Sequence, residues 1–293
     1  NEVMKNNCLL SFKGDAFYLG SLAEPLSCVA GACHANYHTK QGSYTHEMGI
    51  VRGGALALLA GGGPMGLAAI DYIMHCDKRP SLMIVTDVNQ ERINRASSIY
   101  TKERAMKQGI DLHYINTSTE DIELKSLTPD HKGFNDVFVF APIPELIKHA
   151  DDILAFDGCL NFFAGPTNPA FSASLNFYNI HYAATHVVAT SGGNTSDLKE
   201  SLDLMSKGLV DPSALITHIG GLNAVIDTTL NLPSIPGGKK LIYNHIDFPL
   251  TSIEDILKKD GEIFLGLSKI IKEHNGLWSP KAERFLLANA STI

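Results

Sequence analysis

The sequence predicts an α/β protein built on a doubly wound parallel sheet, and three observations carry that prediction. From Leu56 onward, short apolar runs alternate with helix-period stretches, the pattern of parallel strands covered by helices on both faces. Gly61-Gly62-Gly63-Pro64-Met65-Gly66 stands where the first of those runs gives way to a helix. An acid, Asp87, closes the next apolar run, at the ~20-residue distance that a dinucleotide-binding βαβ unit requires.

Taken in order, residues 1–23 are mixed, with Gly14 and Gly20 as punctuation. Residues 24–39 read as a helix opening on Glu24-Pro25, since the missing N–H of proline costs nothing in a first turn. Small residues along it permit close packing. A polar, glycine-containing link covers 41–49. Residues 56–60 form the first strand, 65–76 an apolar-faced helix, 82–86 the second strand and 90–100 a polar-faced helix. Further strands follow at 111–115, 137–141 and 159–164, with a helix at 144–156 between the last two, and 182–190 makes a sixth. Past Gly192-Gly193 the pattern changes. Thr195 can cap a helix running to about 207, followed by a strand at 215–219, a helix near 223–230 and, after Pro233, Pro236, Gly237 and Gly238, a strand at 240–243. An amphipathic helix near 263–274 and a last one ending near 289 complete the chain.

Composition narrows the function classes. Of 293 residues, 44% are hydrophobic and 19% charged, which suits a globular enzyme. A net charge of −7 argues against nucleic acid or an anionic membrane as partner, and no apolar run reaches the ~20 residues of a membrane span. Five scattered cysteines (Cys8, Cys28, Cys33, Cys76, Cys159) make a disulfide framework a poor reading and favour a reducing cytoplasm. The chain opens on Asn1, and its first segment reads as the middle of something, so a preceding N-terminal portion is expected.

The glycine cluster satisfies G-x-G-x-x-G in the Rossmann context. Gly61 permits the tight turn, Gly63 lets a pyrophosphate approach the backbone, and Gly66 lets helix and strand pack closely. Pro64 and Met65 open the helix, whose N-terminus favours an anion. Asp87 is placed to accept hydrogen bonds from the adenosine ribose and to repel a 2′-phosphate, which favours NAD over NADP; its alternative role is a helix N-cap. Arg92 can stack on adenine or pair with the extra phosphate of NADP. Because ligands lie beyond the carboxyl ends of the strands, Ala141-Pro142, Ala164-Gly165 and Thr190-Ser191-Gly192 are candidates for close passage of the nicotinamide half.

The order of these features resembles the medium-chain dehydrogenase/reductase superfamily, in its sorbitol dehydrogenase-like branch. Glu24-Pro25-Leu26-Ser27, residues 59–67, Val85-Thr86-Asp87 with Arg92, residues 186–190, Leu215-Ile216-Thr217-His218 and Lys239-Lys240-Leu241-Ile242 carry the resemblance. Tyr37-x-x-Lys40 has the wrong spacing and place for a short-chain enzyme. Residues 63–72 and 43–50, with a longer tail after Tyr243, look most like the sugar-phosphate reductases of that branch.

The resemblance implies a Rossmann domain (48–192) inserted in a partial GroES-like catalytic domain, of which 1–47 is a remnant and 193–293 the return with a helical extension. It implies a nicotinamide cofactor and zinc, with Glu24 at the acidic position that meets the metal directly or through water; Glu24 also fits as a plain first-turn acid. The other zinc ligands of that family are not identifiable, and Cys28, Cys33, His34 and His38 do not have zinc-knuckle spacing. The implied reaction is hydride transfer between the cofactor and a ketose or polyol, with zinc as Lewis acid. A zinc-independent quinone-type reductase and a non-catalytic dinucleotide-binding subunit stand as alternatives. Lys239, Lys240, Lys281 and Arg284 are compositional candidates for a substrate phosphate, and a homodimer or homotetramer is expected.

Overall fold

The computed structural model describes residues 2–5, 9–40 and 42–293; Cys8 and Gln41 lie outside the described residues. The chain divides into two compact units, one of residues 1–10 and 24–201, the other of 11–23 and 202–293. None of the described helices is long and apolar enough to cross a membrane.

Short helices α1 (Glu2–Lys5) and α2 (Phe17–Ser21) precede α3 (Ala23–Ala35). The predicted helix over 24–39 therefore ends early. Its last residues form β1 (Tyr37–Thr39), paired antiparallel with β2 (His46–Met48), because the Thr39 amide and the His38 ring are drawn onto Asp157. Then come β3 (Ala55–Leu59), α4 (Pro64–His75), β4 (Leu82–Asp87), α5 (Gln90–Ile99), the unforeseen α6 (Lys102–Lys107) and β5 (Asp111–Asn116). The first unit ends with β6 (Phe134–Val139), α7 (Pro144–Asp152), β7 (Leu154–Phe162), α8 (Phe177–Tyr182), β8 (His186–Val188) and most of α9 (Thr195–Ser206).

The sheet order is β5-β4-β3-β6-β7-β8, with every neighbouring pair parallel. The doubly wound prediction is borne out. Every residue of β3 and β4 is buried, as parallel strands covered on both faces require. Ala55, Ala57 and Leu59 share one core with Ile84, Val137, Val139, Leu160 and, from α7, Ile147 and Ala150. Leu56 and Leu58 point to the opposite face and are equally buried.

Two predicted boundaries give way to local chemistry. The helix expected over 144–156 stops at Asp152, and β7 starts at Leu154, opposite Phe134, before a register shift brings Cys159 opposite Asp136. The extra residues bulge, with Asp157 at φ 58°. The strand expected over 182–190 shrinks to three residues, because the Asn176 side chain accepts the Tyr178 N–H and caps α8 in front of it. At α9 the cap is Asn194, whose side chain accepts the amides of Ser196 and Asp197, rather than Thr195.

In the second unit, β9 (Ile216–Gly221) leads into α10 (Val225–Leu230) and lies between β10 (Lys239–Tyr243), parallel, and β12 (Thr251–Ser252), antiparallel. Strand β11 (Ile246–Asp247) pairs with β13 (Ser291–Thr292). Helices α11 (Ile253–Ile256), α12 (Glu262–Glu273) and α13 (Pro280–Asn289) complete it. Glu283 of α13 is 2% exposed and accepts three hydrogen bonds, from the Phe17 amide (2.7 Å), the Tyr18 amide (2.9 Å) and the Tyr243 hydroxyl (2.6 Å). The Trp278 indole N–H donates to that same hydroxyl at 3.0 Å.

Candidate dinucleotide-binding site

Strand β3 hands the chain to α4 through the glycine turn, and each residue there has a distinct task. Left-handed backbone falls on Ala60, at φ 55°, not on Gly61; a side chain there costs about 1 kcal/mol. Gly61 is required by crowding instead, since a Cβ would lie 2.9 Å from Leu58 Cβ and 3.2 Å from Val85 Cγ1. Its amide donates to the Thr86 carbonyl at 2.8 Å and ties the turn to β4. A Cβ on Gly66 would fall on the Gly61 carbonyl, whereas one on Gly63 would meet nothing within 4 Å. Gly63 is the N-cap without a side-chain bond, and the first helical bond, Leu67 amide to Gly63 carbonyl, is 2.9 Å. The Met65 and Gly66 amides precede it in the first turn, where helix N–H groups have no helical acceptor and attract anions; Pro64 has no N–H to offer.

Asp87 ends β4 and is 3% exposed. Its Oδ2 accepts the Gly62 amide at 3.2 Å, its Oδ1 accepts the Asn89 amide at 3.0 Å, and Arg92 Nη1 stands 3.8 Å from Oδ2. The cap of α5 is Asn89, which accepts from the Glu91 and Arg92 amides. Asp87 thus anchors the glycine turn rather than capping the helix.

Beyond this carboxyl edge lies a cleft of about 550 Å³, within the size range of small-ligand sites. Ala60, Asp87, Arg92 and Ala141 line it, and so do Thr117, Glu120, Asp121, Ile122, Leu124, Ile143, Glu145, Leu146 and His149. Burial holds the His149 pKa below the ordinary imidazole value. Sequence reasoning missed the loop after β5. The rule that pointed to the ends of β6, β7 and β8 points equally to the end of β5, so the signal was present.

Other predicted residues stand apart from this cleft's lining. Pro142 is exposed within a turn closed by the Ile143 amide on the Ala141 carbonyl, 2.9 Å. Ala164 donates its amide to the Val139 carbonyl at 3.0 Å, and Gly165 is exposed with open space where a Cβ would be. Thr190 and Ser191 follow β8, and Gly192 has φ 112°. A Cβ on Gly31 of α3 would be crowded by Gly192, Gly193 and Asp197, which explains the glycine at that position.

Glu24 lies exposed in the first turn of α3, where its Oε1 accepts the Cys28 thiol at 3.4 Å. Cys33 is buried, His34 Nδ1 pairs with Asp197 at 2.7 Å, and His38 bonds to Asp136 and Asp157. Among the described residues no group of three His, Cys, Asp or Glu side chains is placed to hold a metal ion, so the residues gathered at Glu24 do not by themselves fit a zinc centre. Of the basic candidates, Lys240 Nζ turns onto the carbonyls of Pro236 and Gly238, Lys281 pairs with Glu273 and Arg284 with Asp15.

A parallel sheet in this order, with a glycine turn and an acid at the end of the next strand, defines a Rossmann-type nucleotide-binding protein. No family model matches the chain. It is 49% identical over 285 residues to the mannitol-1-phosphate 5-dehydrogenase of Aliivibrio fischeri, covering 96% of this chain and 67% of that one. It is 48% identical over 294 residues to the L-sorbose 1-phosphate reductase of Klebsiella pneumoniae, covering 100% and 69%. Among solved structures, the 2R,3R-butanediol dehydrogenase of Bacillus subtilis shares the fold with a TM-score of 0.59 at 17% identity, over 80% of this chain and 60% of that one. An alcohol dehydrogenase of Escherichia coli CFT073 in complex with NADH has a TM-score of 0.55 at 18% identity, over 75% and 57%. The chain therefore belongs to the family of the two sugar-phosphate oxidoreductases it matches, and it shares its fold with the two solved dehydrogenases. It spans about two thirds of their length.

Proposed function

We propose that this chain forms the dinucleotide-binding unit and a second unit of an oxidoreductase that moves hydride between a nicotinamide cofactor and a ketose or polyol phosphate, L-sorbose 1-phosphate or a related sugar. The observation that carries the reading is the glycine turn, tied through the Gly62 amide to Asp87, which with Ala60 lines a cleft at the carboxyl edge of the sheet. The bound cofactor supplies the hydride chemistry. The chain's own residues bind and orient it: the Met65 and Gly66 amides hold the pyrophosphate over the open face of Gly63, Asp87 receives the adenosine ribose hydroxyls, and Ile122 and Ile143 flank the adenine. Ala164-Gly165 and Thr190-Ser191-Gly192 lie along the path of the nicotinamide half. Glu24 is the one residue proposed to face a catalytic zinc, and among the described residues no further ligands are gathered around it.

Assembly is proposed to be a homodimer. Strand β8 is the last of the sheet, and on the preceding β7 and α8 the side chains of Phe156, Phe177, Tyr178 and Tyr182 are each between 65% and 76% exposed, large apolar surface of the kind that marks an interface.

The test is titration of the protein, as expressed from its gene, with NADH and NADPH, followed by a rate screen of ketose phosphates against the free sugars. Binding with turnover of a phosphorylated ketose supports the reading. Binding without turnover of any ketose or polyol would move the chain to the non-catalytic class.

A further inference from the structure

We infer that Glu120 and Asp121 act with Asp87 to select the dinucleotide, by barring one that carries a 2′-phosphate. This rests on the proposed reading of the cleft as the adenosine site. Residue Asn116 of β5 is the register partner of Asp87, and the Thr117 amide donates to the Asp87 carbonyl at 3.1 Å. The loop after β5 is thereby held at the acid that receives the ribose. It is a built loop: Glu120 Oε1 accepts the Asn116 amide at 2.8 Å, the Glu120 amide donates to the Asn116 carbonyl at 2.9 Å, and the Asn116 side chain donates to Gln90 and accepts from Ser118. Glu120 therefore cannot swing away from an incoming anion without giving up its own anchor.

The charge of the lining decides the sign. Asp87, Glu120, Asp121 and Glu145 face the cleft, against the single guanidinium of Arg92, which already stands 3.8 Å from Asp87. A phosphate monoester adds nearly two negative charges near neutral pH and binds well only where charge-assisted donors are free to meet it. Here it would meet carboxylates. Removing Asp87 alone would leave the others, so the selectivity is distributed between two strand ends.

The experiment is calorimetric titration of the full chain with NAD+ and NADP+ at low ionic strength, read as the ratio of the two dissociation constants. In a Glu120→Gln/Asp121→Asn double variant, where the introduced glutamine keeps an acceptor for the Asn116 amide, the NADP+-to-NAD+ ratio is expected to fall about tenfold. Asp121→Asn alone, at an exposed side chain, is expected to give about a threefold fall and covers the case in which the double variant does not fold. Added salt should shrink the wild-type ratio, because exposed charges are screened. A ratio unmoved in both variants while NAD+ still binds overturns this inference only. An equal fall in Glu103→Gln, on α6 and outside the cleft, would also overturn it by assigning the effect to net charge. Wild-type protein binding neither dinucleotide would overturn the reading of the cleft and this inference with it.

Discussion

Gly63 and Gly66 stand three residues apart in one turn and do opposite work. Gly66 has the Gly61 backbone where a side chain would go, while Gly63 has ordinary backbone (φ −78°) and empty space. Gly66→Ala is therefore expected to cost about 2–3 kcal/mol through overpacking, read as a fall in urea midpoint. Gly63→Ala is expected to leave the melting temperature within about 2 °C of wild type and to weaken dinucleotide binding by about tenfold or more, since the added methyl stands where the pyrophosphate must approach. Equal loss of stability in both variants would show that Gly63 is structural and not a ligand contact. Glu283 belongs to the same scale. Glu283→Ala leaves two amides and the Tyr243 hydroxyl without their acceptor and is expected to destabilise by about 3 kcal/mol. Glu283→Gln, which keeps one acceptor oxygen, should recover part of that loss, and equal denaturation midpoints for the two variants would contradict the account. Nothing at the sequence level marked Glu283, because its partners are Tyr243 and the far-off Phe17 and Tyr18.

At the scale of the element, β1 shows how a short strand is held by ionisable groups. His38 Nε2 lies 3.1 Å from Asp136 Oδ1, and its Nδ1 lies 2.9 Å from the Asp157 carbonyl. Asp157 in turn accepts the Thr39 amide at 2.9 Å and sits 2.7 Å from His186 Nε2. Burial alone would lower the His38 pKa, but the hydrogen bond and charge of Asp136, with Asp157, outweigh it and raise the pKa above 6.5. A raised folded-state pKa gives stability that is fully present below about 6.5 and fades as the pH climbs through the raised value. The melting temperature is accordingly expected to decline on the alkaline side of 6.5, and His38→Asn to flatten that part of the curve. A variant with the wild-type slope would remove His38 from the explanation. The sequence showed the two histidines and two aspartates of this network as unconnected letters. Asp136 of β6 and the bulge in β7, which brings Asp157 to β1, connect them.

For the whole molecule, the first expectation concerns assembly. Val187 of β8 is 44% exposed on the last strand of the sheet, beside the aromatic residues of α8. Sedimentation equilibrium of the full protein is expected to give twice the chain mass, and Val187→Lys with Tyr178→Lys to shift it toward monomer. A wild-type monomer at micromolar concentration would assign the patch to something other than self-association.

What the sequence determined by itself was the first unit's architecture and its cofactor end. Runs such as Leu56–Leu59 and Leu82–Val85 are apolar on both faces, so they can lie only inside a covered parallel sheet. The glycine turn and Asp87 are likewise local, because a tight strand-to-helix turn and an acid at the next strand's end are set by backbone geometry within one βαβ unit. Tertiary structure decided the rest. It moved the left-handed residue to Ala60, ended α7 before the bulge, and brought Glu120 and Asp121, from the loop after β5, to the same cleft as Asp87. It also left Glu24 with Cys28 as its hydrogen-bond partner and turned Lys240, Lys281 and Arg284 onto partners of their own. The loop of Glu120 and the Arg284–Asp15 pair rest on contacts between residues far apart in the chain, whereas Glu24 with Cys28 and Lys240 with Pro236 and Gly238 are near neighbours whose pairing spacing alone does not select. Periodicity and spacing record what a segment prefers, not what the fold brings against it.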